Sequence, residues 1–76
     1  MSEQKAYQFI NGSVIRIDCI KAILVDKGFT SGEIRISPCV AVEYANEGKA
    51  CIEEIDYPSV QDARAVADEV LALMNS

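Results

Sequence analysis

The chain has no histidine and no tryptophan, only two prolines, and just three tyrosines and two phenylalanines as aromatics in 76 residues. Without histidine, a serine or cysteine nucleophile lacks its usual activating base. Zinc lacks its commonest nitrogen ligand, and the cysteines form no ligand cluster. Glu53 and Glu54 are adjacent on a strand, where successive side chains point to opposite faces, so they make no carboxylate pair for acid–base work. Asn11-Gly12 and the glycines at 28 and 32 read as turn residues, with no lysine and helix to complete a phosphate loop. The aromatics are too few for an RNA-stacking sheet. No apolar run approaches the roughly 20 residues of a membrane span. The opening Met-Ser-Glu-Gln-Lys is followed by no apolar signal segment. These absences lead to the expectation of a protein that is not an enzyme, with no catalytic residue, metal or cofactor, and no membrane partner.

What is present is apolar content and an uneven charge. Half of the residues are hydrophobic, enough for a packed domain. At 76 residues the chain makes one domain, 1–76, and buries a modest core. The formal net charge is −5. Residues 1–42 hold four acids and five bases, a net of +1, and residues 43–76 hold eight acids and two bases, a net of −6. An acidic surface repels phosphate backbones, so direct nucleic-acid binding is not expected. It suits a basic groove on a protein. Cys19, Cys39 and Cys51 are an odd set with no C-x-x-C spacing, which suggests reduced thiols and a cytoplasmic location.

The segment from Cys39 to Tyr57 organises the reading. Two β-rich runs, Val40 to Tyr44 and Ala50 to Tyr57, flank Asn46-Glu47-Gly48. A type I turn followed by a left-handed Gly48 gives a three-residue loop in which Ala45 faces Lys49. That register puts Val40, Val42, Tyr44, Ala50 and Ile52 under the core. It leaves Cys39, Ala41, Glu43, Cys51, Glu53 and Ile55 outward. On that outer face Cys39 and Cys51 stand about two pairing positions apart, too far for a relaxed disulfide.

Upstream, Ala6–Ile10 and Ser13–Ile17 read as strands about a two-residue Asn11-Gly12 turn. Ile17, Ile20 and Ile23 recur at a spacing of three, which fits one helical turn or a strand kink. Ile20–Asp26 is a β-rich run. Residues 27–32 read as a loop whose Phe29 folds back on the core or stands exposed as a contact. Glu33–Ser37 alternates and can be a strand, and Pro38 places this region at an edge or in irregular structure. Residues 1–4 are expected to fray. Downstream, Ser59 is an N-cap with Asp62 three residues on. Ala63, Val66, Ala67, Val70, Leu73 and Met74 make the apolar stripe of an amphipathic helix. The expected fold is α+β, an antiparallel sheet of about four strands with one C-terminal helix on one face.

Such a sheet keeps one face bare, and that face is the candidate site. Its expected partner-binding residues are Ile55 and Tyr57 as anchors, with Glu43, Glu53, Glu54 and Asp56 as an acidic rim. The alternatives are a homodimer through the sheet face or a free edge strand, and a small-ligand pocket under Phe29.

In its length, acidity and sheet-plus-helix plan, with Ala-Asn-Glu-Gly-Lys followed by Ser-Val-Gln-Asp-Ala, the chain resembles the small acidic accessory proteins of phages and prophages, of which anti-CRISPR proteins are one group. The resemblance is one of type and carries no residue role. It implies a non-enzymatic inhibitor or adaptor that binds a larger, basic, nucleic-acid-handling complex.

Overall fold

The structure, a computed structural model, describes residues 5–75. The expectation that residues 1–4 fray concerns residues outside that range. The fold is α+β, with antiparallel strands followed by one C-terminal helix. In chain order the strands are β1 (Ala6–Gln8), β2 (Val14–Arg16), β3 (Ile20–Asp26), β4 (Phe29–Ser31), β5 (Ile34–Ile36), β6 (Cys39–Asn46) and β7 (Lys49–Asp56), and the helix α1 is Val60–Met74. The central sheet has the order β3-β6-β7, while β1-β2 and β4-β5 form separate two-stranded ladders.

The isoleucines at spacing three resolve into a 3-10 turn at Ile17–Cys19, which closes β2 and redirects the chain into β3. At the start of β3, Ile20 faces Tyr44 and Ala22 faces Glu43, so Lys21 is an extra, bulged residue. The helix begins where its capping chemistry puts it. The Ser59 hydroxyl accepts the Asp62 N–H at 3.1 Å, and Asp62 lies near the positive helix end. Its stripe is used as expected: Ala63, Ala67 and Val70 are buried, with Val66, Leu73 and Met74 packed at the margin. The three buried residues of the stripe are all alanine or valine, which lets α1 lie close across β3 and β6.

Both hairpin loops differ from expectation, in opposite directions. Phe9 N–H reaches Ser13 O at 2.8 Å and Gly12 N–H reaches Phe9 O at 2.9 Å, so the first hairpin closes through three residues, Ile10, Asn11 and Gly12. The central hairpin closes through two, because Asn46 faces Lys49. Its turn puts both Glu47 (φ 54°) and Gly48 (φ 82°) in the left-handed region, the requirement of a type I′ turn. The one-residue change reverses every side chain of β7. Ile55, facing Val40, is 1% exposed, and Tyr57 is buried. Ile52, facing Glu43, is 70% exposed. Ala50 and Ile52 therefore do not pack under the helix, and Cys51, Glu53 and Ile55 do not look outward. Val40, Val42 and Tyr44 on β6 stay on the core side, and Cys39, Ala41 and Glu43 stay on the other.

A glutamate at φ 54° pays a steric cost that asparagine largely avoids. Glu47→Asn is expected to stabilise the protein by about 0.5–1 kcal/mol, raising Tm by roughly 4 °C. Thermal unfolding checks this, and a lowered Tm would contradict the turn assignment.

The core joins Phe9, Ile15, Ile17, Ile20, Val40, Val42, Ile55, Tyr57, Ala63 and Val70. The β1-β2 hairpin and α1 therefore cover the same side of the sheet. Two polar ties hold the hairpin there. The Tyr7 hydroxyl donates to Glu69 on α1 at 2.6 Å. Burial first, and then the Glu69 hydrogen bond and charge, push the Tyr7 phenol up to about 12. At the other end, Ser13 Oγ and Asn11 Nδ2 both donate to Glu53 on β7, the second at 3.2 Å.

Residues 27–32 are not a plain loop. Phe29 faces Ile36, Thr30 faces Arg35 and Ser31 faces Ile34, around a two-residue Gly32-Glu33 turn. The paired numbers sum to 65, as they do along β3 and β6 from Ala22↔Glu43 to Asp26↔Cys39. β4 and β5 are thus the far end of one long hairpin, interrupted at Lys27-Gly28 and Ser37-Pro38. The molecule is 53 Å long and 24 by 19 Å across, with a radius of gyration of 13.4 Å. A compact chain of this length would have about 11 Å, so the hairpin end projects as an arm. Phe29 stands exposed on it rather than folded over the core.

Candidate functional site

Among the described residues, the side of the β3-β6-β7 sheet away from α1 carries no other element, and its register lays out a grid of nine residues. Across the three strands the rows are Asp26–Cys39–Asp56, Leu24–Ala41–Glu54 and Ala22–Glu43–Ile52. With strands about 4.8 Å apart and same-face neighbours about 7 Å apart along each strand, this is a compact patch. It holds four carboxylates and no base. Its centre is the half-buried Ala41, with Leu24 (68% exposed) beside it in the row and Ile52 (70% exposed) diagonal to it in the next.

The electrostatics are concentrated at one end. Cys39 is nearly enclosed between Asp26 and Asp56 in its row. Burial first, and then the charges of Asp26, Glu54 and Asp56, push its thiol up. A thiol held protonated in this way is a poor nucleophile and a poor metal ligand. Among the described residues no group of three His, Cys, Asp or Glu side chains is placed to hold a metal ion. All three cysteines are free. Cys39 and Cys51 lie on opposite faces of the hairpin, so the geometry separates them more than the three-residue loop implied.

Of the six residues expected to bind a partner, the register brings together Glu43, Glu54 and Asp56 on the open face. It removes the other three. Ile55 and Tyr57 are core residues and cannot serve as surface anchors. Glu53 points to the covered side, where Ser13 and Asn11 occupy its carboxylate. Their places on the open face are taken by Ile52, which the three-residue loop register hid, and by Leu24 and Asp26, which come there because β3 pairs with β6. The signal that finds Ile52 is the comparison of the two β7 faces: Ile55 with Tyr57 is a larger apolar pair to bury than Ile52 with Ala50.

Phe29 is exposed on the arm and does not lie over the core. A shallow depression of about 290 Å³ lies beside the first hairpin, lined by Ser13, Arg16, Cys19, Tyr44, Asn46 and Glu53. Arg16 there pairs with Asp18 at 2.7 Å, and Glu53 is held as described, so its charged groups already have partners. No helix among the described residues is long and apolar enough to cross a membrane.

The geometry defines a class, an α+β protein with a one-sided helix cover and an open acidic sheet face. Compared with known proteins, the chain matches no family model, no curated protein and no solved structure.

Proposed function

We propose that the protein is a non-enzymatic protein-binding module that docks its open sheet face on a basic surface of a larger complex, as an inhibitor or adaptor of the phage-accessory type would. The observation that carries this reading is the grid itself: two largely exposed aliphatic side chains, Leu24 and Ile52, set among Asp26, Glu43, Glu54 and Asp56. Apolar side chains at the centre of a contact supply affinity, and charges around them steer the encounter and select the partner. Four carboxylates on nine positions repel one another, and a cationic partner relieves that repulsion. Carboxylates spaced on a flat strand face also suit a groove built to hold phosphates.

The test is affinity capture from lysate of the protein's native cells, with the Glu54→Lys/Asp56→Lys and Ile52→Lys variants as comparators. A basic protein captured by the wild type should be released by about 0.5 M salt, because exposed charge attraction is screened. It should also be lost, on the order of tenfold or more, with either variant. Both variants change exposed positions and should keep the wild-type helix signal in circular dichroism. Capture of nothing at low salt, or equal capture by wild type and variants, would overturn this reading.

A further inference from the structure

The arm offers a second surface, and its own sequence points to what meets it. Phe29, Ile34 and Ile36 share one face of the β4-β5 ladder and are 56%, 61% and 48% exposed. Among the described residues, no strand pairs with the outer edge of β5. Along that side β7 accompanies the chain only as far as Pro38, whose carbonyl accepts the Tyr57 N–H at 2.8 Å. Beyond it the ladder contains β4 and β5 alone. Ser31 and Ile34 close the two-residue turn, so by antiparallel alternation the backbone groups of Ile34 and Ile36 turn toward β4. Those of Arg35 turn toward the free edge, as does the carbonyl of the turn residue Glu33, which lies opposite the Ile34 N–H.

We infer that β5 is a homodimerisation strand, two copies pairing antiparallel about a two-fold axis at Ile34. The charge order Glu33-Ile34-Arg35 is self-complementary under that axis. Glu33 of each copy stands opposite Arg35 of the other, and opposite charges directly across a strand pair stabilise it. The backbone allows the same register. Arg35 has edge-facing N–H and C=O groups, and the carbonyl of Glu33 leaves the turn toward the same edge, so the Arg35 N–H of each copy donates to the Glu33 carbonyl of the other, two bonds in all. Ile34 meets Ile34 of the second copy in the non-hydrogen-bonded pair between them, where side chains approach most closely. The axis is perpendicular to the sheet, so Phe29, Ile34 and Ile36 of both copies fall on one side of a four-stranded sheet, with the two Ile34 side chains meeting at its centre. The contact is isologous and therefore closes at two copies. Because the strands run in opposite directions, the two bodies lie at opposite ends of the joined arms. The β4 edge has no such match: from Lys27 to Ser31 its one charge is a lysine.

Mass measurement by sedimentation or light scattering, from about 1 µM to about 1 mM chain, tests this. The wild type should rise to twice its 8.3 kDa. Glu33→Arg and Arg35→Glu each oppose like charges at both pairs and should hold the mass at one chain. A one-to-one mixture of those two variants should return to two chains, since every pair is again opposite in sign. The Glu33→Arg/Arg35→Glu double variant should dimerise alone. Ile34→Cys adds a separate readout, a disulfide-linked dimer on non-reducing gels that the parent chain does not give. A wild type that stays at one chain over the whole range, single variants that keep the wild-type mass, a mixture that stays monomeric, or no Ile34→Cys cross-link would each overturn the inference. The first two outcomes leave the acidic-face reading untouched, because none of these residues is on that face.

Discussion

Ile55→Ala should cost about 3 kcal/mol of stability in a urea melt, while Ile52→Ala, three residues away on the same strand, should move it by no more than about 0.5 kcal/mol. The two residues are chemically identical before truncation and belong to one strand, so strand propensity does not separate them. Their surroundings do. Ile55 is among the largest fully buried side chains, facing Val40 in a core that includes Tyr57, and truncation removes both its transfer energy and its packing. Ile52 sits on the open face and leaves water barely at all on folding. A domain of this length has a total stability of roughly 4–11 kcal/mol, so the Ile55 variant loses a large part of it. A three-residue loop at the central turn would reverse the two results. Equal losses, or a larger loss at Ile52, would therefore refute the register, and with it the grid of acids on the open face.

That register was the point at which the sequence was hardest to read. Asn-Gly is the commonest two-residue turn, yet Asn11-Gly12 is part of a three-residue loop. Its Asn11 side chain accepts the Ser13 N–H at 3.0 Å and also reaches Glu53, so the residue is recruited by its surroundings rather than by the turn. Glu47-Gly48 is a poor type I′ pair, and the chain adopts it because burying Ile55 and Tyr57 gains more than a left-handed glutamate costs, about 1 kcal/mol. Packing over many residues overrode a local preference at one. The elements with a single dominant cause were legible: the helix from its stripe and Ser59 cap, and β3 from its β-branched run. Glu53 shows the opposite case. Nothing in its neighbours announces that a serine 40 positions earlier will claim it.

The arm was hidden for a different reason. Gly28, Thr30, Ser31 and Gly32 have loop composition, and three-residue strands are too short for periodicity to stand out. What reveals it is long-range: one register running from Ala22↔Glu43 through to Ser31↔Ile34. Once extended that way, five of the eight exposed large apolar residues fall into two sets on different parts of the molecule, the other three being Ile10 and Val14 on the first hairpin and Leu71 on the helix. Leu24 and Ile52 are on the body, ringed by acids. Phe29, Ile34 and Ile36 are on the arm, beside one glutamate and one arginine. Their chemistry differs, so one partner would not satisfy both, and this separation is why the two surfaces are given different occupants.

The joint between body and arm carries the second large effect. At Gly28 the chain has φ +70°, and its N–H is held by the Asp26 carboxylate at 2.8 Å. A β-carbon there would strike the carbonyl oxygen of Ile36 and come within 2.8 Å of Pro38 N and Ser37 C. All three are backbone atoms of the opposing strand, which cannot swing aside as a long side chain does. Gly28→Ala should therefore cost about 2–4 kcal/mol wherever the joint stays closed, combining left-handed strain with the clash. Gly32→Ala is the control. Its φ is +59°, but nothing lies within 4 Å of the added carbon, so only the strain of about 1 kcal/mol applies. The cheaper response to Gly28→Ala is to open the ladder at the joint. Amide exchange should then rise at 29–31 and 34–36 while β6 and β7 keep their protection, because those strands are pinned by the core. Equal exchange and equal stability in the Gly28→Ala and Gly32→Ala proteins would show that the close approach does not hold the arm. A rigid β5 is also what strand pairing between copies requires, since a frayed edge must be ordered before it can pair. Gly28→Ala should accordingly weaken any arm-mediated dimer without touching a charge, and it should leave capture through Leu24, Ile52 and the acidic grid unchanged.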